Sequence, residues 1–191
     1  MELKESALSA ISKFIDGLIP KKAQIFSYWL IDYIRLLRRE PEVKTFRRFK
    51  RGDIIKIHLG YRIGSEEGGL HFAVVLTPND TTKNPVITVA PLTSLKNLEQ
   101  LNHLYPGDVF IGSVLLKQLA DKIQASPSSA VVREVSKLKW GSIVLTNQIT
   151  TISKLRIYDP IRNTDALSGI RLDRETMDSV DNGIKQNIFS A

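Results

Sequence analysis

The sequence contains no cysteine. That excludes a disulfide framework, a thiolate metal site and a cysteine nucleophile, and it suits a reducing compartment such as the cytoplasm. Long apolar runs are also missing. None approaches the ~18 residues that a membrane-spanning helix needs, so no membrane partner is expected. The opening Glu2, Lys4 and Glu5 do not read as a signal peptide. Histidine is scarce, and His58, His71 and His103 lack metal-ligand spacing. Neither a metal nor a cofactor is expected. There is no phosphate loop ending in Gly-Lys-Ser/Thr, no dinucleotide fingerprint, no serine in a nucleophile elbow and no internal repeat.

What is present suits a folded domain with an appendage. The chain has 191 residues, 42% of them apolar, enough for a real core. Its net charge of +7 is unevenly spread. Residues 1–52 hold 12 Lys/Arg and 6 Asp/Glu, so 12 − 6 = +6; the remainder holds 15 and 14, so 15 − 14 = +1. A polyanion is the natural partner of such a bias, and solubility is the plainer reading.

Periodicity divides the chain. Ala7, Leu8, Ile11, Phe14, Ile15 and Leu18 recur at helical spacing, and Gly17 and Pro20 punctuate the end of that element. A second helix is expected over Ala23 to Leu37, with Arg38 and Arg39 favourably placed in its last turn. Together they form a helical extension over 1–45. "KTFRRFKRGD" follows, five of its ten residues being Lys or Arg, with Phe46 and Phe49 between them. Basic groups neutralise phosphates and aromatic faces stack unpaired bases; a charged linker with docked phenylalanines is the simpler reading. After Gly52 the period becomes two: Ile55, Ile57 and Leu59 share one strand face, Lys56 and His58 the other. "HFAVVLT", "VITVAPLTS", "GDVFIGS" and "GSIVLTNQI" read as further strands. Val114 to Trp140 is expected to be helical in part, with a loop at "ASPSSA". Arg171 to Phe189 is expected to form an amphipathic helix, with Asp173 its N-cap. The fold class is therefore mainly β with helical additions: a small barrel domain over 46–191, with an insertion at about 95–139.

Four segments stand in a telling order: "FKRGDIIKIHLG", "GSEEGGLHFAVVL", "VITVAPLTS" and "GSIVLTNQITTISKLRIY". Together they resemble the MazF/PemK family of toxin endoribonucleases from toxin–antitoxin systems, over roughly Phe49 to Ser94 and Trp140 to Phe189. The resemblance implies an SH3-like barrel, usually a homodimer, that cuts single-stranded RNA such as mRNA without a metal. The ribose 2′-hydroxyl attacks the phosphorus, leaving a cyclic phosphate and a 5′-hydroxyl. An antitoxin protein normally masks the RNA groove. The family's catalytic arginine, part of an Arg-Pro pair, is matched by His71, followed by Phe72; its threonine is matched by Thr93, with Ser94 beside it. Ser65, Glu66 and Glu67 fall where family loops contact bases. Gln148 matches a groove glutamine, and Thr150 replaces an arginine. Imidazole, with a reference pKa of about 6.5, can give or take protons, whereas guanidinium is locked in its charged form. His71 is thus expected as acid–base residue and Thr93 as phosphate contact, with Arg51, Arg62 and Lys154 as substitute cations. Two rival readings remain: a non-catalytic module that binds RNA or protein, and a gyrase-targeting toxin that acts through its terminal helix.

Overall fold

The period-two stretches after Gly52 become strands of one antiparallel sheet in the computed structural model, which describes residues 2–125, 128–136, 138 and 140–189. The strands are β1 (Ile54–His58), β2 (Leu70–Val75), β3 (Val86–Ser94), β4 (Val109–Phe110), β5 (Ser142–Val144), β6 (Thr150–Ser153) and β7 (Ile157–Asp159). β1 pairs with β2, β2 with β3, and β7 returns to β1. β3 outlasts its neighbours: its first half pairs with β6 and its last three residues with β5. A 3-10 turn, Lys154–Arg156, joins β6 to β7 and closes the five-strand circuit of a small barrel.

Alternation then sorts the side chains. Ile55, Ile57, Ala73, Val75, Ile87, Val89, Ile152 and Ile157 point inward and form the barrel core, with Phe49 and Leu59 at its ends. Full burial of one such isoleucine is worth roughly 1.5–3 kcal/mol. Ile54, Val74, Ala90, Leu92 and Val144 point outward into a second core. Three helices cover that outer face: α3 (Val114–Ala125), α4 (Ser129–Val135) and α5 (Arg174–Phe189), numbered after the two N-terminal helices below. Glu134 of α4 is buried, and both its carboxylate oxygens accept from Lys56 Nζ at 2.8 Å. Asp173 Oδ1 accepts from Thr176 N at 2.8 Å, so it caps α5 as expected and is held below the usual carboxylate range by that bond. Gly183 lies mid-helix in α5 because a Cβ there would stand 2.3 Å from the Gly107 carbonyl oxygen.

Two expectations are refined. "GSIVLTNQI" is not one strand. β5 ends at Val144, a 3-10 turn spans Thr146–Gln148, and β6 resumes beyond it. Between β5 and β6, Leu145 N donates to the Pro91 carbonyl, so the chain changes its stretch of β3 where proline has no N–H to offer. The region 95–139 carries two helices, α3 and α4; residues 126 and 127 of "ASPSSA" lie outside the described residues.

The chain divides into two compact units, Met1–Val43 and Lys44–Ala191. The first consists of α1 (Glu2–Asp16), α2 (Pro20–Arg39) and a short 3-10 turn. Pro20 opens α2, where its missing N–H costs nothing. The two helices meet edge to face at Phe14 and Phe26, 5.0 Å between ring centres, and Trp29 stacks on Tyr33 at 5.7 Å. Neither helix has a buried residue.

Candidate active site

The inward rows of the barrel run out of apolar residues at one end. Ala73 and Val75 on β2 are followed toward that end by His71, and Val89 and Pro91 on β3 by Thr93. The β2–β3 register pairs Phe72 with Leu92, so one step further brings Thr93 opposite His71 on the inward face. Thr93 also pairs with Ile143, which belongs to a small apolar cluster with Leu95 and Leu145. Two polar side chains thus interrupt an apolar surface at the barrel mouth. Alternation sends Phe72 to the outer face, where Lys56 Nζ stands 5.7 Å from its ring centre.

The β1–β2 loop hangs over this mouth. Gly64 and Gly69 take φ of 62° and 78°, left-handed values that suit glycine. The loop is tied down from the 3-10 turn Thr146–Gln148. Gln148 Oε1 accepts from Glu67 N at 3.1 Å, and its Nε2 donates to the Ser65 carbonyl at 3.3 Å. The turn is anchored in its own right: Thr146 Oγ1 donates to the Gly107 carbonyl at 2.7 Å and accepts from Asn187 Nδ2 of α5 at 3.1 Å. Thr146 N donates to Asp108 Oδ1 at 3.2 Å, and burial pushes the Asp108 carboxyl above its ordinary range despite that bond. A chain of polar contacts therefore runs from α5 through the turn to the loop.

Glu67 carries that chain to the histidine. Its Oε2 lies 3.3 Å from His71 Nε2, while His71 Nδ1 lies 3.3 Å from the Leu92 carbonyl. His71 is not sealed inside: its side chain is 23% exposed and that of Glu67 31%. Beside them an open hollow of about 180 Å³ is lined by Leu59, Arg62, Glu66, Glu67, Gln148 and Thr150, among others. Arg62 Nε donates to the Leu59 carbonyl at 2.9 Å, and its guanidinium stands 3.6 Å from Glu66.

Seven of the ten expected site residues gather here: His71, Thr93, Ser65, Glu66, Glu67, Gln148 and Arg62. Three do not, for definite reasons. Ser94 faces the opposite side of the sheet from Thr93, where it pairs with the buried Ser142. Arg51 pairs with Asp181 of α5 and donates to the Leu76 carbonyl, beyond the far end of β2. Lys154 is buried at that far end. Its Nζ stands 2.6 and 2.7 Å from the two Asp80 oxygens and also donates to the Thr81 and Arg47 carbonyls. Its four contacts are saturated, so it is not a free cation for a substrate. The reading from sequence missed Arg156, whose guanidinium donates to the Leu59 carbonyl at 3.1 Å, beside the bond from Arg62. Its only signal was a place in the quoted "SKLRIY". Asn147 and Ile149, also in the lining, carried no signal of their own.

Among the described residues, no group of three histidine or acidic side chains could hold a metal ion, and no helix is long and apolar enough to cross a membrane.

A family model, the PemK-like, MazF-like toxin of type II toxin–antitoxin systems, matches residues 50–188. Among solved structures, MazF (Form-I) from Deinococcus radiodurans is 14% identical, covering 73% of this chain and 94% of that one, with a TM-score of 0.43. An endoribonuclease in complex with its cognate antitoxin, from a Mycobacterial species, is 15% identical over the same shares, with a TM-score of 0.42. No curated protein matches the chain.

Proposed function

The chain belongs to the PemK-like, MazF-like toxin family of type II toxin–antitoxin systems, and on that premise we propose that it cuts single-stranded RNA without a metal, at the barrel mouth. One observation carries this reading: a histidine and a threonine face each other across β2 and β3 at the open end of an apolar barrel, beside a solvent-open hollow. The ribose 2′-oxygen attacks the adjacent phosphorus and the bond from phosphorus to the 5′-oxygen breaks. The products are a cyclic phosphate and a 5′-hydroxyl. His71 is the acid–base residue. The Thr93 hydroxyl donates to a non-bridging phosphate oxygen as charge develops there. Arg62 and Arg156, both bound to the Leu59 carbonyl, supply positive charge near the mouth.

In this reading the glycine loop meets bases through Ser65, Glu66 and Glu67, and Gln148 holds the loop in place. A second copy completes a homodimer, and a cognate antitoxin covers the mouth in the resting cytoplasm. The test is incubation of the purified protein with long single-stranded RNA, with new 5′-hydroxyl ends counted. Cleavage that persists in EDTA and disappears in a folded His71→Ala variant is the expected result. RNA binding without new ends would instead make the barrel a non-catalytic module. Growth arrest that survives His71→Ala but is lost on truncating α5 would point to a protein target.

A further inference from the structure

We propose that Glu67 and His71 are the two halves of one acid–base pair: Glu67 takes the proton of the 2′-hydroxyl, and His71 protonates the departing 5′-oxygen. The proposal rests on the nuclease reading and divides its labour between two residues: His71 keeps the acid's role, and Glu67 becomes the proton acceptor, leaving the nucleobase contacts to Ser65 and Glu66.

The geometry of the imidazole carries it. His71 Nδ1 faces the Leu92 carbonyl at 3.3 Å and Nε2 faces a Glu67 carboxylate oxygen at 3.3 Å. A carbonyl and an ionised carboxylate only accept. Nδ1 therefore carries its proton toward the Leu92 carbonyl, and the ring is held by that nitrogen. Nε2 is left as the nitrogen turned toward the carboxylate and the hollow side of the ring, where a proton can be given up and taken back. The proposed cycle starts with that proton on Nε2 and the Glu67 carboxylate ionised.

Accessibility points the same way. Both side chains are partly exposed, and Glu67 lines the hollow. The backbone N–H of Glu67 is held by Gln148 Oε1, which fixes where the carboxylate originates. The other charged residues that line the hollow, Arg62 and Glu66, stand 3.6 Å from each other and so compensate each other in part. Glu67 has three side-chain torsions and can swing to admit a phosphate between itself and the ring.

The step balances. The 2′-oxygen to phosphorus bond forms as the 2′ proton passes to Glu67. The bond from phosphorus to the 5′-oxygen breaks as that oxygen takes a proton from His71. Glu67 is then protonated and His71 neutral, and the proton returns from carboxyl to ring across their contact. No outside reagent is consumed.

The test uses the full-length protein and two short RNAs that span one cleavage site, mapped beforehand on long RNA. One RNA has the natural 5′-oxygen at the scissile position and the other has sulfur there, which departs as a thiolate without protonation. Glu67→Gln keeps the shape of the side chain and His71→Gln removes the acid; circular dichroism checks that both are folded. On the natural RNA each variant is expected to lose roughly 10²-fold or more. On the sulfur RNA His71→Gln is expected to regain near wild-type cleavage, while Glu67→Gln stays slow. Full activity of Glu67→Gln on the natural RNA, rescue of Glu67→Gln by sulfur, or no rescue of His71→Gln would each overturn the pairing. A wild-type protein that leaves long single-stranded RNA uncut at the mapping step would overturn the nuclease reading itself.

Discussion

Two pairs of ionisable side chains stand at opposite ends of one barrel. At the closed end, Lys154 and Asp80 are 2% and 0% exposed at the side chain; at the mouth, His71 and Glu67 are 23% and 31% exposed. Asp80 also accepts from Phe49 N at 2.8 Å, and the Lys154 ammonium touches two carbonyls besides its partner. Every site on the buried pair is used, and nothing can approach it. The mouth pair has room on one side and weaker geometry. A buried charge pair that loses one member leaves the other uncompensated in low dielectric, whereas an exposed pair loses little. Burial and saturation, rather than residue type, separate a pair fixed within the fold from one that stays open to solvent.

The sharpest way to break the comparison is to disrupt the buried pair. Lys154→Met strands Asp80 in the core and should cost about 3–5 kcal/mol, read as a large fall in unfolding temperature. An unchanged unfolding temperature would mean the pair is not structural. At the mouth the effects should reverse. His71→Ala is expected to slow RNA cleavage roughly 10²–10⁴-fold while moving the unfolding temperature by only a degree or two. A variant equally damaged in both readouts would erase the distinction. Gln148→Ala removes the two bonds that tie the loop to the turn. It should cost about 1 kcal/mol in stability and slow cleavage several-fold, with hydrogen exchange at Glu67 N rising.

The smallest effect concerns Asp108, which supports the same turn. Its folded-state carboxyl binds protons more readily than an unfolded one. Its contribution to stability is therefore present below its unfolded pKa and fades as pH rises through the folded pKa. Asp108→Asn keeps an acceptor for Thr146 N without the charge. Its unfolding temperature relative to the wild type should accordingly be higher at pH 7 than at pH 4, and calorimetry at the two values checks the sign.

Much of the fold was legible because it follows from local periods. The alternation through Ile55, Ile57 and Leu59 announced β1, and the i, i+3, i+4 pattern announced α1, α2 and α5. The "GSEEGG" and "PLTS" segments marked the mouth because glycine and hydroxyl residues at strand ends leave a sequence trace. Ser94 was grouped with Thr93 by adjacency, yet period two places neighbours on opposite faces. Arg51 and Lys154 were chosen for their charge alone, and charge does not report what already surrounds a side chain. Arg156 passed unnoticed for the same reason.

From the sequence alone come β1 to β3, the helices α1, α2 and α5, the position of the glycine loop and the histidine at its end, since each depends on residues a few places apart. Only the closed barrel decided that Lys154 is buried while Arg156, two residues later, reaches the Leu59 carbonyl near the mouth. It also decided that Glu67 meets both Gln148 and His71. Solvent exposure and ion pairing arise where distant strands close on one another, and that closure depends on the packing of the whole unit rather than on any short stretch of chain.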